Sequence, residues 1–205
     1  MPFIPLPLVI VAGGKSSRMG SDKALLPFGE FKTLTQFQLH RLKPYFSSIH
    51  VSSKSKEKFD FDASFIEDSS KYSEHSPLVA LLSILEFFKT PVCVLSVDTP
   101  FVTPEIFEKL YENFEENDDA IIATSPCSSH QLCAIYAPSI AETIRTQLSK
   151  NEHKIRLVLD QSRTKQIVFE EDEPFLNLNH PHEYEKAQET NIDKPAEQFG
   201  ILLGE

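Results

Sequence analysis

The sequence predicts an α/β fold: one domain in which a mostly parallel sheet lies between helical layers, a three-layer α/β/α arrangement. Three observations carry this expectation. Short apolar runs rich in β-branched residues, Leu8–Val11, Ile49–Val51 and Val92–Val97, punctuate the first half, each followed by turn or polar residues. Between them apolar residues fall at helical spacing, Leu34, Phe37, Leu39 and Leu42 before the second run and Leu78, Leu81, Leu82 and Leu85 before the third. Strands that run parallel need a long connection returning the chain to the same end of the sheet, and helices of this kind supply it. Finally, 205 residues with 40% hydrophobic content suit a single core.

Taken in order, the opening run Phe3–Val11 reads as a strand. It has no basic leader, is broken by Pro5 and Pro7, and passes directly into glycines without a small-residue cleavage site. After the third strand a helix is expected over Pro104–Asn117, with Thr103 able to cap it and Pro104 suited to its first turn. Ala120–Thr124 follows as a strand. Residues 125–129 are small and polar, and with the strand Leu132–Ala137 they suggest a loop or hairpin beside a pocket. Ile140–Leu148 and Ile155–Leu159 are helical in pattern, Gln166–Phe169 is a strand, and Pro181–Glu189 a closing helix. The domain is therefore expected to span residues 1–189, with residues 190–205 a loosely ordered tail.

Charge and composition narrow the function. Lys and Arg number 20 against 30 Asp and Glu, a net charge of −10, which argues against nucleic acid or an anionic membrane as partner. An anionic small molecule then needs a local cluster of donors. No other apolar run approaches the roughly 20 residues that span a bilayer, so a cytoplasmic location is expected. Cys93, Cys127 and Cys133 lack zinc or disulfide spacing and read as buried free thiols.

The most informative stretch runs from Val11 to Lys23, VAGGKSSRMGSDK, directly after the first strand. In an open α/β sheet the carboxyl ends of the strands form the ligand crevice. Glycines there let backbone N–H groups approach phosphate oxygens, and Arg18 and Lys23 add positive charge. No lysine sits at the spacing of a Walker A loop, and the Gly-x-Gly-x-x-Gly fingerprint of dinucleotide binders is absent. The run Val92–Phe101 carries a second signal, because Asp98 follows a buried strand where an unpaired carboxylate is costly. A hard divalent cation is a natural partner, since Mg²⁺ takes one or two carboxylates and completes its shell with water and phosphates. The competing role is a cap on the following turn. Asp22 can orient Lys23 or begin a helix, and the run Glu170–Glu173 reads as a solvated turn.

The loop pattern Gly-Gly-x-Ser-x-Arg-Met-Gly-x-Asp-Lys over residues 13–23, with Asp98-Thr99-Pro100-Phe101, resembles the MobA-like NTP transferases, and among them the molybdenum cofactor guanylyltransferases. Weaker matches fall in the same order between Leu8 and Ala187. Phe65–Asp68 resembles the segment whose aspartate reads guanine. Ser76–Ala80 resembles a Gly-Pro-Leu-Ala-Gly turn with two glycines replaced. Asn177–Pro181 resembles Asn-x-Asn-Thr-Pro on the pterin side, with His180 in place of threonine. Ser52 stands where relatives often carry asparagine near the nucleotide, and His130 aligns with a family histidine, although a loop histidine alone is ordinarily just solvated.

The resemblance implies a Rossmann-like nucleotidyltransferase fold and Mg²⁺-dependent transfer of GMP from GTP to the terminal phosphate of molybdopterin, in its molybdenum-bearing form, with release of pyrophosphate. It implies that Lys23, Arg18 and Asp98 are catalytic, with Asp98 the metal ligand. Val11, Ala12, Gly13, Gly14, Lys23, Ser52, Asp68 and Asp98 are then the nucleotide site, and Asn177, Asn179 and His130 the pterin side. Molybdenum-insertion and acceptor apoenzyme proteins become expected partners. A molybdopterin cytidylyltransferase, a sugar-phosphate nucleotidyltransferase and a nucleotide- or pterin-binding module without turnover remain the alternatives.

Overall fold

The computed structural model describes residues 2–13, 22–72 and 76–193, the last four by backbone alone. Its strands and helices alternate as β1 (Ile4–Val11), α1 (Leu34–Leu42), β2 (Phe46–Ser53), β3 (Phe65–Glu67), α2 (Pro77–Phe88), β4 (Val92–Ser96) and α3 (Pro104–Glu112). There follow β5 (Ala120–Thr124), β6 (Ser129–Tyr136), α4 (Ala141–Ser149), α5 (Ile155–Leu159), β7 (Thr164–Val168) and α6 (Pro181–Asp193). One seven-stranded sheet results, ordered β3-β2-β1-β4-β6-β5-β7. Strand β6 runs antiparallel to β4 and β5, and every other pairing is parallel.

The apolar runs are continuous because both faces of the sheet are covered. Along β1 and β4 the side chains alternate between two cores, as a period of two requires. Val9, Val11, Val92 and Val94 meet α2, α4 and α5 on one face. Leu8, Cys93 and Leu95 meet α3 on the other, where Ile10 joins Phe28, Leu34 and Phe37 around α1. The expected three layers are present. Local chemistry sets the helix starts: the Ser76 hydroxyl accepts from Leu78 N–H at 3.1 Å with Pro77 in the first turn, and Thr33 accepts from Gln36 N–H at 3.1 Å.

Several boundaries differ from expectation. Strand β3 has no counterpart among the strands the sequence pattern predicts. Helix α3 stops at Glu112, where Asn113 closes it and the Asp118 carboxylate takes the Glu115 N–H at 2.8 Å, and Thr103 precedes it without a side-chain cap. Strand β6 starts three residues earlier than expected, at Ser129, and forms a hairpin with β5. Helix α6 continues to Asp193, past the expected stop at Glu189. Cys93 and Cys133 are buried, whereas Cys127 is exposed on the hairpin.

Candidate active site

Strand order reverses at β1, which pairs with β2 on one side and β4 on the other, so the crevice opens where these strands end. The ends are tied together: Ala12 N–H donates to Ser52 O at 2.8 Å and Val97 N–H to Val11 O at 3.1 Å. Gly13 continues from there, and a Cβ placed on it would stand 4.0 Å from Asp68 Oδ2. Asp68 is positioned by its N–H on Ser53 O at 3.1 Å, and the buried Ser52 hydroxyl lies 3.4 Å from its Oδ1. Gly13, Ser52 and Asp68 thus converge at the ends of β1, β2 and β3. Gly14 and Arg18 lie outside the described residues.

Asp98 sits two residues beyond β4, which ends at Ser96, one residue short of the expected Val97. Ser96 Oγ donates to Asp98 Oδ1 at 2.5 Å, and Lys23 Nζ to Oδ2 at 3.0 Å. The turn is closed by Thr99 Oγ1 on Ser96 O at 2.8 Å, so the Asp98 carboxylate is not needed as its cap. Backbone around Asp98 is held from beneath. Gln38, fully buried on α1, donates its amide to Val97 O at 3.3 Å and Thr99 O at 3.1 Å, and Arg41 Nε donates to Gln38 Oε1 at 2.8 Å, fixing the amide's orientation. Burial pushes the Arg41 guanidinium down to about 9.

Lys23 opens a 3-10 turn, Lys23–Leu25, that Asp22 caps by accepting from Ala24 N–H at 3.0 Å. The second Asp22 oxygen takes Lys58 Nζ at 2.7 Å, and the same ammonium donates to Ala12 O at 2.8 Å. Asp22 therefore bonds Lys58 and supports Lys23 through the turn. Lys23 Nζ donates to Asn179 Oδ1 at 2.8 Å as well as to Asp98, and the Lys23 and Asp98 side chains are only 13% and 19% exposed. Asn179 is itself fixed, because Glu183 on the first turn of α6 accepts from the N–H groups of Asn179 at 2.7 Å and His180 at 2.8 Å. Burial alone would raise the Glu183 carboxyl, but those two donors outweigh it and hold it below its usual range.

Beyond the Lys23, Asp98 and Asn179 cluster lies a cavity of about 520 Å³. Ser96, Asp98, Asn177 and Asn179 form one wall; His130 and its β6 neighbours form another; His153, Lys154 and Arg156 bring basic groups to its rim. His130 is half-buried, bonded to Ser125 Oγ at 2.8 Å and stacked on Phe175 with ring centroids 4.2 Å apart and planes 8° from parallel. Burial lowers its pKa, which favours the neutral imidazole. The structure thus brings Asp98, His130, Asn177 and Asn179 to one cavity, with Lys23 bonded to two of them. Lys58, Gln38, His153, Lys154 and Arg156 were missed. Of these only the basic cluster His153-Lys154-x-Arg156 leaves a visible mark in the sequence.

A divalent cation fits this donor set. Asp98 Oδ2 and Asn179 Oδ1 both point at one cation, the Lys23 ammonium. No group of three or more His, Cys, Asp or Glu with metal-binding placement occurs among the described residues. A single carboxylate suits an ion that draws its remaining ligands from water and substrate phosphates.

A sheet whose switch-point crevice gathers glycine backbone, a lysine and an aspartate beyond a strand end has the build of an α/β nucleotidyltransferase. Residues 8–166 match the MobA-like NTP transferase domain, and the chain belongs to that family. A molybdenum cofactor guanylyltransferase of Campylobacter jejuni (strain RM1221) is 44% identical over 187 residues, covering 91% of this chain and 97% of that protein. One from Helicobacter pylori (strain J99) is 28% identical, covering 89% and 88%. Among solved structures, molybdopterin-guanine dinucleotide biosynthesis protein A from Archaeoglobus fulgidus superposes with a TM-score of 0.80 at 23% identity, covering 92% of this chain and all of that one, and shares the fold. No described helix is long and apolar enough to cross a membrane.

Proposed function

We propose that this protein is a molybdenum cofactor guanylyltransferase that transfers GMP from GTP to the terminal phosphate of molybdopterin carrying molybdenum. The observation that supports it best is the position of the Lys23, Asp98 and Asn179 cluster, between the crevice at the ends of β1 and β2 and the cavity of about 520 Å³. A phosphate oxygen of the acceptor attacks the α-phosphorus of GTP, the bond from that phosphorus to the bridging oxygen breaks, and pyrophosphate leaves. No covalent enzyme intermediate is required. Lys23, together with Arg18, donates to the charge that develops on the phosphate oxygens, and the backbone from Val11 to Gly14 positions the nucleotide. Asp98, with Asn179 beside it, would hold Mg²⁺, which neutralises phosphate charge when bound.

The neutral His130 ring and Asn177 face the acceptor, and Lys154 and Arg156 at the rim complement its phosphate. Asp68 accepts from N1–H and the exocyclic amino group of guanine, a donor pair that cytosine lacks. The reaction is assigned to the cytoplasm, where molybdenum-insertion and acceptor apoenzyme proteins are the expected protein contacts. Pyrophosphate release with molybdopterin and Mg²⁺ tests the reading through kcat/KM for GTP, CTP and ATP, in wild type and Asp68→Ala. GTP should be preferred by about 10²-fold or more, and the variant should lose that preference. Equal use of CTP would transfer the assignment to a cytidylyltransferase, and an unchanged ratio in the variant would remove Asp68 from the base site.

A further inference from the structure

We propose that Lys58 is a positioning residue for nucleotide binding, a clamp that draws together the two ends of the glycine-rich segment and so sets the site for the triphosphate. Its ammonium lies 2.8 Å from Ala12 O and 2.7 Å from Asp22 Oδ2. These are the residues on either side of the nine at positions 13–21. One cation therefore joins the exit of β1 to the entrance of the turn that carries Lys23.

The stem of Lys58 stands on a built platform. It ends a 3-10 turn, Lys56–Lys58, whose first N–H donates to Glu67 Oε1 at 3.1 Å and whose Ser55 cap accepts from Glu57 N–H at 3.3 Å. The next residue, Phe59, is buried and stacked on Phe65 with centroids 5.0 Å apart, and the ammonium itself lies 4.9 Å from the centre of the Phe59 ring. The clamp is thus anchored in the β2–β3 connection, and its charge is spent on a carbonyl and a carboxylate. Both partners are fixed on their other side: Ala12 N–H donates to Ser52 O at 2.8 Å, and Asp22 Oδ1 accepts from Ala24 N–H at 3.0 Å. Removing the ammonium frees the exit of β1 from the turn that carries Lys23 while deleting none of the groups assigned to the nucleotide.

The inference rests on the reading of this crevice as a nucleotide site but not on which base it takes. Direct titration of the full-length protein with GTP, CTP and ATP, without acceptor, separates the two. If wild type binds none of them, the functional reading fails. If it binds one, Lys58 is tested with that nucleotide. Lys58→Met should raise its Kd, and its KM in turnover, about tenfold while kcat at saturation falls less than about threefold, and Lys58→Arg should recover most of the loss. Asp22→Asn should weaken binding comparably, and the double variant should be no more than about twofold worse than the weaker single, because both cut one bridge. Kd within twofold of wild type in folded Lys58→Met, together with an unchanged Lys58→Arg, would overturn the clamp. So would losses that multiply in the double variant, since Lys58 would then meet the phosphates directly.

Discussion

Replacing Lys23 with methionine separates the structural from the chemical role of its ammonium. At 3.0 Å from Asp98 Oδ2, and with an effective dielectric constant near 20, the gross attraction is about 5 kcal/mol. Most of that is offset by taking both groups out of water, since their side chains are only 13% and 19% exposed. Methionine fills most of the stem's volume but leaves the carboxylate, among the described residues, with the Ser96 hydroxyl as its side-chain donor and deprives Asn179 Oδ1 of a donor. We expect a stability loss of about 1–3 kcal/mol in urea unfolding. In the proposed reaction the same change removes one donor to the developing charge, and kcat should fall by about 10²-fold, or about 2.7 kcal/mol. Pyrophosphate release at saturating GTP and acceptor measures the second effect without the first, provided the variant is folded. GTP affinity should change by less than about tenfold, and the order of base preference should not change. Turnover within about threefold of wild type, or an altered base order, would refute the assignment of Lys23 to the transferred phosphate.

Asp98→Asn keeps the shape and the Ser96 contact but not the charge, so it should fold normally and lose at least about 10²-fold in turnover; near wild-type pyrophosphate release would end the metal role. Gln38→Leu leaves the Val97 and Thr99 carbonyls and Arg41 Nε without their partner in a fully buried place, and should cost about 3 kcal/mol in denaturant unfolding; a cost under about 0.5 kcal/mol would mean that water replaces the amide. Arg163 and Ser139 hold the Asp119 carboxyl below its ordinary value of 3.8, at about 2. A depressed carboxyl stabilises the fold above its unfolded pKa. Wild type should therefore exceed Asp119→Asn by about 1 kcal/mol near pH 6, the attraction to the largely exposed Arg163 being screened by solvent, with the difference shrinking as pH falls from 4 toward 2; a difference independent of pH would disprove the linkage.

The parts of this fold that are legible in the sequence are those with enough residues to display a period. Leu8–Val11 of β1 and Val92–Leu95 of β4 are buried on both faces and read as unbroken apolar runs, and α2 shows its turn spacing between Ser76-Pro77 and Lys89. Strand β3 has three residues, of which only Ile66 is buried, so no alternation can be seen. The first residues of β6, Ser129 to Gln131, are polar because they border the cavity, and their composition is that of a loop. In the site, the glycine segment and Asp98 are legible because strand and turn residues adjoin them directly. Lys58 is not, since its partners lie 46 and 36 residues away and meet it only after β2 has paired with β1. Gln38 is likewise one more polar residue on an amphipathic helix until α1 packs under the Val97–Thr99 turn.

The single antiparallel strand explains why the site has two sides of different origin. Up to β4 the chain is a parallel unit whose strand ends gather Ala12, Gly13, Ser52, Asp68 and Asp98, all from its first half. A further parallel strand beside β4 would add another strand end and the start of a crossover helix at this rim. Instead β6 runs the other way, so the residues at its beginning, Ser129 to Cys133, stand next to the end of β4 and bring His130 to the cavity. The rest of the lining then comes from chain that follows, His153 to Arg156 and Asn177 to Asn179. Lys23 Nζ bridges the halves, bonded to Asp98 from the first and Asn179 from the second. In the proposed reaction the bond that forms lies at this seam, where a nucleotide held by the first half meets an acceptor held by the second. Substitutions at Ser52 or Asp68 should therefore act on the nucleotide constants and those at His130 or Asn177 on the acceptor constants, while Lys23 and Asp98, which touch both halves, act on kcat.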